Sequence, residues 1–383
     1  MKILVNAITL DNANIVPLLI RLKYWQSQEN QIVIFGNEYL EKSDLLSEDC
    51  EKFDYVRLEN RYVGQKNIKD AKSRIQFMSE CLKRNILALF FVRRIWKRYD
   101  WIYSISAVLD VVLFPYIMKL FDKKIRWAVV FDNVVTFSGV GSKRQRFLAW
   151  LFFRLSLFCI RKADVVFAIS EDLKKYLVSS GFAENKIIIT GNAVEAERIK
   201  QAATDDRYAF DGLFVGRINE AKGIFDLLHI LQVIKEKYPN FGLAIMGDGD
   251  EESKEKFKEK IHKMNLSENI TLLGYKVGQE KYNIIKSSKC FIFPSRKESF
   301  GIALLEAVCS GLPAFAYDLP QFLQIYGNME VDFSLNGQWE QIAQKVIALF
   351  EKGVFKNENG EKLLSSYSWN RIAQIEYEQL KKI

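Results

Sequence analysis

Two doubly wound α/β domains, each a parallel sheet with helices packed on both faces, are predicted by three observations. Short β-branched runs alternate with helical patterns over most of the 383 residues, this series occurs twice, and one polar stretch separates the two occurrences. At about 150 residues per domain, the length also fits two domains with sizeable cores. The runs are KILVNAIT (2–9), QIVIFG (31–36), WIYSIS (101–106), RWAVVF (126–131), DVVFAIS (164–170) and KIIITG (186–191) in the first half. In the second half they are DGLFVGR (211–217), GLAIMGDG (242–249), NITLLGY (269–275), CFIFPS (290–295) and PAFAYD (313–318). Strands separated by helices form βαβ units and a parallel sheet. The polar EAERIKQAATDDRYAFDG (195–212) reads as the linker, placing the domains at 1–200 and 205–366.

The opening MKILVNAITLDN carries one Lys and an apolar run broken by Asn6, with no small-residue cleavage site. It reads as a first strand and not as a signal peptide. The apolar stretches ILALFFV, VVLFPYIM and FLAWLFF stop well short of the roughly 20 residues that a spanning helix needs, so a soluble or peripheral protein is expected. With 49% hydrophobic and 27% charged residues, 6 Pro and 20 Gly, disordered and collagen-like classes are excluded. The five Cys are scattered without a C-x-x-C pair, so neither a disulfide framework nor a zinc site is suggested, and a reducing compartment is expected.

The net charge of +8 is uneven. Residues 1–200 carry 32 Lys and Arg against 22 Asp and Glu, whereas the remainder is nearly balanced. Two stretches without any acid, Lys83–Arg98 and Ser142–Lys162, each carry six basic residues among aromatics. For FLAWLFFRLSLFCI, two readings stand open: a buried helix with solvated ends, or a helix lying on an anionic leaflet. Nucleic acid is disfavoured because no binding module accompanies the charge.

In parallel sheets, ligands bind beyond the carboxyl ends of the strands, where helix N-termini face anions. Gly216 and Arg217 end one strand, and Lys222 with Gly223 opens the next helix, a pair of cations suited to a diphosphate. MGDGDEE (246–252) admits Asp248 and Asp250 as a metal clamp, but first-turn acids offsetting a helix dipole explain them better. In FPSRKESFGIALLEAVCSGLP (293–313), Ser299 is a plausible helix cap, and Gly311 and Pro313 stop the helix. Glu298 precedes that helix and Glu306 lies two turns in, about 10 Å away along the axis. They read either as a salt-bridged acid and a capping acid, or as the contacts of a sugar nucleotide whose diphosphate rests on the amides of Phe300, Gly301 and Ile302. A carboxylate between Leu305 and Ala307 is costly without a ligand or a strong partner.

VGRINEAKG, MGDGDEE and the E-x7-E pair of ESFGIALLEA, in this order, resemble the retaining glycosyltransferases of family 4, the glycosyl transferases group 1. The resemblance covers residues 205–316, continues weakly through the first half, and returns in YSWNRIAQIEYEQL (367–380). It implies the GT-B fold: two Rossmann-like domains facing a central cleft, an N-terminal acceptor domain, a C-terminal donor domain, and a last helix (367–383) crossing back. It further implies that Arg217 and Lys222 hold the diphosphate of a UDP- or GDP-sugar and that Glu306 accepts from the ribose. Glu298 would orient the sugar, and Tyr275 would lie near the base. No cofactor and no metal are expected, because fixed cations and a helix N-terminus take the leaving-group charge. The acceptor would be a glycan or a polyprenyl-diphosphate-linked precursor in bacterial surface polysaccharide or glycolipid assembly, made in the cytoplasm at the inner face of the membrane.

The chain departs from the family in its first half. Its two His, His229 and His262, both lie in the second half, and Asp132 and Asn133 stand where an active-site His is usual. Asp132 is either an acceptor-orienting acid or base, or a loop cap. Asn12 and Asn14 replace the usual Gly-rich turn after the first strand. An epimerase of similar fold and an inactive nucleotide-binding scaffold are the competing functions.

Overall fold

A computed structural model describes residues 1–8, 12–36, 53–57, 74–95, 97–135, 143–327, 331–356 and 360–383. The chain divides into two compact units: Met1–Gly191 with Trp369–Ile383, and Asn192–Ser368.

In the first unit the elements run β1 (Lys2–Ala7), α1 (Asn12–Ser27), β2 (Gln31–Gly36), β3 (Asp54–Arg57), α2 (Arg74–Leu89), α3 (Val92–Ile95), β4 (Trp101–Ser104), α4 (Leu109–Phe121), β5 (Arg126–Phe131), α5 (Lys143–Ile160), β6 (Val165–Ala168), α6 (Glu171–Ser179) and β7 (Ile187–Ile189). The strands form one parallel sheet in the order β3-β2-β1-β4-β5-β6-β7. Continuous apolar runs such as RWAVVF are buried along nearly their whole length, as expected for a sheet covered on both faces. Trp25, Trp101 and Trp127 are fully buried. The indole of Trp127 donates to Ser104 Oγ at 3.0 Å, satisfying its polar edge inside the core.

The second unit contains α7 (Ala196–Gln201), β8 (Gly212–Val215), α8 (Ile224–Lys237), β9 (Leu243–Met246), α9 (Glu251–Lys263), β10 (Ile270–Gly274), α10 (Gly278–Ser287), β11 (Cys290–Phe293), α11 (Ile302–Cys309), β12 (Ala314–Tyr317), α12 (Pro320–Tyr326), β13 (Val331–Ser334), α13 (Trp339–Lys352) and α14 (Gly360–Ser366). Its parallel sheet runs β10-β9-β8-β11-β12-β13. The order reverses between β8 and β11, so the loops leaving these two strands flank the crevice of the switch point. A parallel bridge between Val194 and Ser368 joins the two ends of this unit.

The last helix, α15 (Trp369–Lys382), packs against α1 in the first unit. Glu376, fully buried, meets Arg21 at 3.2 Å and accepts from the Tyr103 hydroxyl at 2.9 Å. The Trp25 indole donates to Ala373 O at 2.9 Å, and the Arg21 guanidinium lies 4.4 Å from the Trp369 ring centroid.

Residues 195–212 are not a linker. They form α7 and a short 3-10 turn, Asp206–Tyr208, tied to α10. Gln279 donates to Arg198 O at 2.9 Å, Tyr208 to Glu280 at 2.9 Å, and Ser287 Oγ accepts from the Asp205 amide at 2.8 Å. Side chains of α10 take up backbone groups of this stretch together with the Tyr208 hydroxyl, and the unit boundary falls at 191/192 and not near 200.

Candidate active site

Glycine sets the path of the loop leaving β8. Gly223 has φ +68°, and a Cβ there would lie 1.7 Å from Pro294 O, so only glycine lets this loop close onto the exit of β11. Just before it, Asn219 accepts from the Lys222 amide at 3.1 Å and caps the turn Glu220–Lys222. That turn presents Lys222, whose Nζ lies 2.5 Å from Glu298 Oε1. Arg217, after Gly216 at the strand exit, is exposed and makes no ion pair among the described residues.

The β11 exit is held from several sides. The Arg296 amide donates to Ala221 O at 3.0 Å. The Arg296 guanidinium forks onto the Asp226 carboxylate at 2.8 and 2.7 Å, and the Tyr317 hydroxyl donates to the same group at 2.8 Å. Gln321 donates to the Glu298 carbonyl at 2.6 Å, fixing the backbone that carries Glu298. Burial and the hydrogen bond to Asp226 push the Tyr317 phenol well above its ordinary range, so it stays a donor.

Ser299 is not the cap of α11. Gly301 is, at φ +84°, and a Cβ there would lie 2.3 Å from Phe322. Phe300 is buried and packs edge-on against Tyr367 at 6.0 Å. The seating of Phe300 in the core draws the chain into a left-handed cap, one a serine side chain does not fill. The Leu305 amide donates to Gly301 O, whereas the amides of Ile302, Ala303 and Leu304 open from the first turn. Such a terminus carries positive dipole character and suits an anion.

Glu306 is buried on α11 and has strong partners after all. Lys281 Nζ pairs with Glu306 Oε1, and the Tyr282 hydroxyl lies 3.0 Å from the same oxygen. That hydroxyl also lies 3.4 Å from Glu195 Oε1, and with one proton it serves one carboxylate at a time. Arg198 holds the other side of Glu195 at 2.8 Å. Burial raises the Glu195 carboxyl above its ordinary range, with Arg198 and Lys281 opposing the shift and Glu306 adding to it. Burial and the two carboxylates likewise push the Tyr282 phenol far up.

Asp248 and Asp250 act locally. Asp250 caps α9, accepting from the Ser253 amide at 2.8 Å, and Asp248 accepts from the Gly249 amide at 2.9 Å. These bonds hold both carboxyls below their ordinary range. Among the described residues no group of three His, Cys, Asp or Glu is placed to hold a metal ion. Tyr275, after β10, is 63% exposed.

In the first unit, Asp132 follows β5 and is half-buried, while Asn133 is exposed and accepts from the Val134 amide at 2.8 Å. Asn12 and Asn14 lie in the first turn of α1; their side chains fall outside the described residues.

Of the residues expected at the site, the structure joins Lys222 to Glu298; Arg217 stands at the β8 exit, Gly301 and Ile302 at the start of α11, and Glu306 within α11 against α10. Sequence reasoning missed Glu195, Asp226, Lys281, Tyr282, Arg296 and Tyr317. Tyr282, an aromatic within an otherwise ordinary amphipathic helix, gave no signal; Asp226 on the buried side of α8 was the one readable clue.

Comparison with known proteins bears on the family and the fold. Residues 193–363, nearly the whole of the second unit, match the family described as glycosyl transferases group 1. An uncharacterized glycosyltransferase of Methanocaldococcus jannaschii is 34% identical over 167 residues, 41% of this chain and 40% of that protein. The capsular polysaccharide biosynthesis glycosyltransferase CapM of Staphylococcus aureus is 24% identical over 253 residues, 61% of this chain and 64% of that protein. The chain thus spans about half the length of the curated relatives it matches. Among solved structures, HepE of Anabaena, crystallised with UDP and glucose, superposes with a TM-score of 0.75 at 13% identity and full coverage of both chains. The two sheets are those of the GT-B glycosyltransferases.

Proposed function

We propose that the chain is a retaining hexosyltransferase that moves a sugar from a UDP- or GDP-sugar to a glycan or polyprenyl-diphosphate-linked acceptor, without a metal. The observation carrying this reading is the placement of Arg217 and Lys222 on the loop leaving β8 and of the open α11 amides beyond β11, the two strands that flank the switch point. As the C1–oxygen bond to the diphosphate breaks, negative charge grows on the leaving phosphate. Fixed cations and backbone dipoles stabilise that charge without reorganising. The acceptor oxygen bonds to C1 on the same face, and its proton passes to a phosphate oxygen of the departing diphosphate.

Glu298, held by Lys222 and Gln321, orients the sugar. Glu306 accepts from the ribose hydroxyls through the oxygen that Lys281 and Tyr282 leave to the ligand. Phe300 and Gly301 shape the phosphate loop, and Tyr275 flanks the base. In the first unit, Asp132 orients the acceptor with Asn133 beside it after β5, and Asn12 and Asn14 line the turn after β1. The capsular role in the name of the CapM relative and the UDP in the HepE crystal support a nucleotide donor and a cell-surface glycan product.

The test is incubation with a panel of UDP-, GDP- and ADP-sugars, followed by proton NMR of the slowly released sugar. Release from one donor, with the anomeric configuration kept in the first-formed product, is expected. Interconversion of sugars without release would mean an epimerase, and no reaction with any donor would leave an inactive scaffold.

A further inference from the structure

The first unit carries a surface that sugar transfer leaves unused. Helix α4 packs between α2 and α5. Each of these helices follows a strand of one parallel sheet and returns against it, which brings their C-terminal ends to the same edge. Two contacts mark that juxtaposition: the Tyr116 and Phe158 rings lie 5.8 Å apart, and the Lys97 amide donates to Asp122, the cap of α4, at 3.3 Å.

At this edge large apolar side chains face outward. Phe90 is 77% exposed, Phe121 67% and Phe158 60%, with Leu120 and Leu155 beside them. Helix α5 buries Phe153, Leu157 and Ile160 on one side and exposes Phe147, Leu151, Leu155 and Phe158 on the other, a stripe at helical spacing. The buried-helix reading of FLAWLFFRLSLFCI therefore holds for one face only. Exposed phenylalanines at the ends of three helices that pack side by side mark an interaction site.

The charge of the same edge selects the partner. Lys123, Lys124, Arg154, Arg161 and Lys162 are exposed, and α4, α5 and the turns that close them expose no acid among the described residues. Asp122 is buried, and Asp164 pairs with Lys119 at 2.6 Å. Arg84, from the other basic stretch, is withdrawn from this surface: it is buried on Asp110 at 2.7 Å. A second copy of the chain would bring the same basic rim against itself, and a nucleic acid offers no apolar phase for three phenylalanines. An anionic leaflet offers both head-group charge and acyl depth.

We propose that the C-terminal ends of α2, α4 and α5 dock on an anionic membrane leaflet, with Phe90, Phe121 and Phe158 entering the acyl boundary and the lysines and arginines on the head groups. This goes beyond donor chemistry and stands or falls independently of it. The test is co-sedimentation of the full chain with phosphatidylglycerol-containing vesicles and with pure phosphatidylcholine vesicles. Two double variants are compared, Phe121→Ser with Phe158→Ser and Arg154→Glu with Lys162→Glu, each checked for unchanged thermal unfolding. Binding to the anionic vesicles alone is expected, at least about tenfold weaker in either variant. Equal binding to both vesicle types, no binding, or unchanged binding by the folded variants would overturn the proposal. So would a soluble dimer, by sedimentation equilibrium, that both variants dissociate, since the surface would then belong to a second copy.

Discussion

Glu306 shows how a single residue carries the argument from sequence to site. A carboxylate in an apolar helix demanded a partner or a ligand, and Lys281 with Tyr282 supplies the partner. Those partners were not legible because they come from another helix, and no sequence spacing links α10 to α11. The same holds for Arg296 and Asp226, which are distant in sequence and bidentate in space. Glu195 permits a direct check of the network. Its carboxyl is raised in the folded protein, first by burial. The folded state therefore holds the proton more tightly than the unfolded state, and its contribution is lost as pH rises from the ordinary carboxylate value through the folded one. Glu195→Gln, which keeps the shape but not the charge, is expected to gain stability relative to wild type as pH rises above the ordinary carboxylate value of about 4. Thermal melts of both proteins across that range check it; a constant difference would contradict the assignment.

At the scale of elements, strands were legible where an unbroken apolar or β-branched run marks them, including the partly exposed edge strands β7 and β10. RWAVVF and QIVIFG are strands over the full apolar run. The two strands missed, β3 and β13, are edge strands whose short sequences DYVR and VDFS mix charged and apolar residues and so present no continuous apolar run. Helix starts were harder to read. Ser299 has the chemistry of a cap, but the backbone turns at Gly301, whose positive φ and contact with Phe322 no serine rule anticipates. Gly301→Ala is expected to strain both. A loss of about 1–3 kcal/mol in chemical denaturation, together with weaker nucleotide binding, is the expected outcome; a fully stable variant would show that the cap relaxes without cost.

For the whole molecule, the charge division visible in the sequence became a division of surfaces. The balanced second unit carries Arg217 and Lys222 on the loop that leaves β8 at its switch point, while basic residues of the first unit flank an exposed apolar edge. The return of the chain's last helix to the first unit rests on a buried charge cluster. Arg21 and Glu376 are both buried, so removing one leaves the other uncompensated. Glu376→Leu is expected to cost about 3–5 kcal/mol, and adding Arg21→Met to restore most of that loss. Urea unfolding of the single and double variants measures it; equal losses in both would mean that the pair itself, and not the stranded charge, sets the cost.

The central claim is that the crevice between β8 and β11 holds a nucleoside diphosphate, with Glu306 on the ribose. Calorimetric titration of wild type and Glu306→Ala with UDP, GDP and ADP tests it most directly. One nucleotide is expected to bind the wild type, with affinity at least about tenfold weaker in the variant, as the loss of a charge-assisted hydrogen bond implies. Equal affinity in a folded Glu306→Ala protein, or binding of none of the three nucleotides, would contradict it.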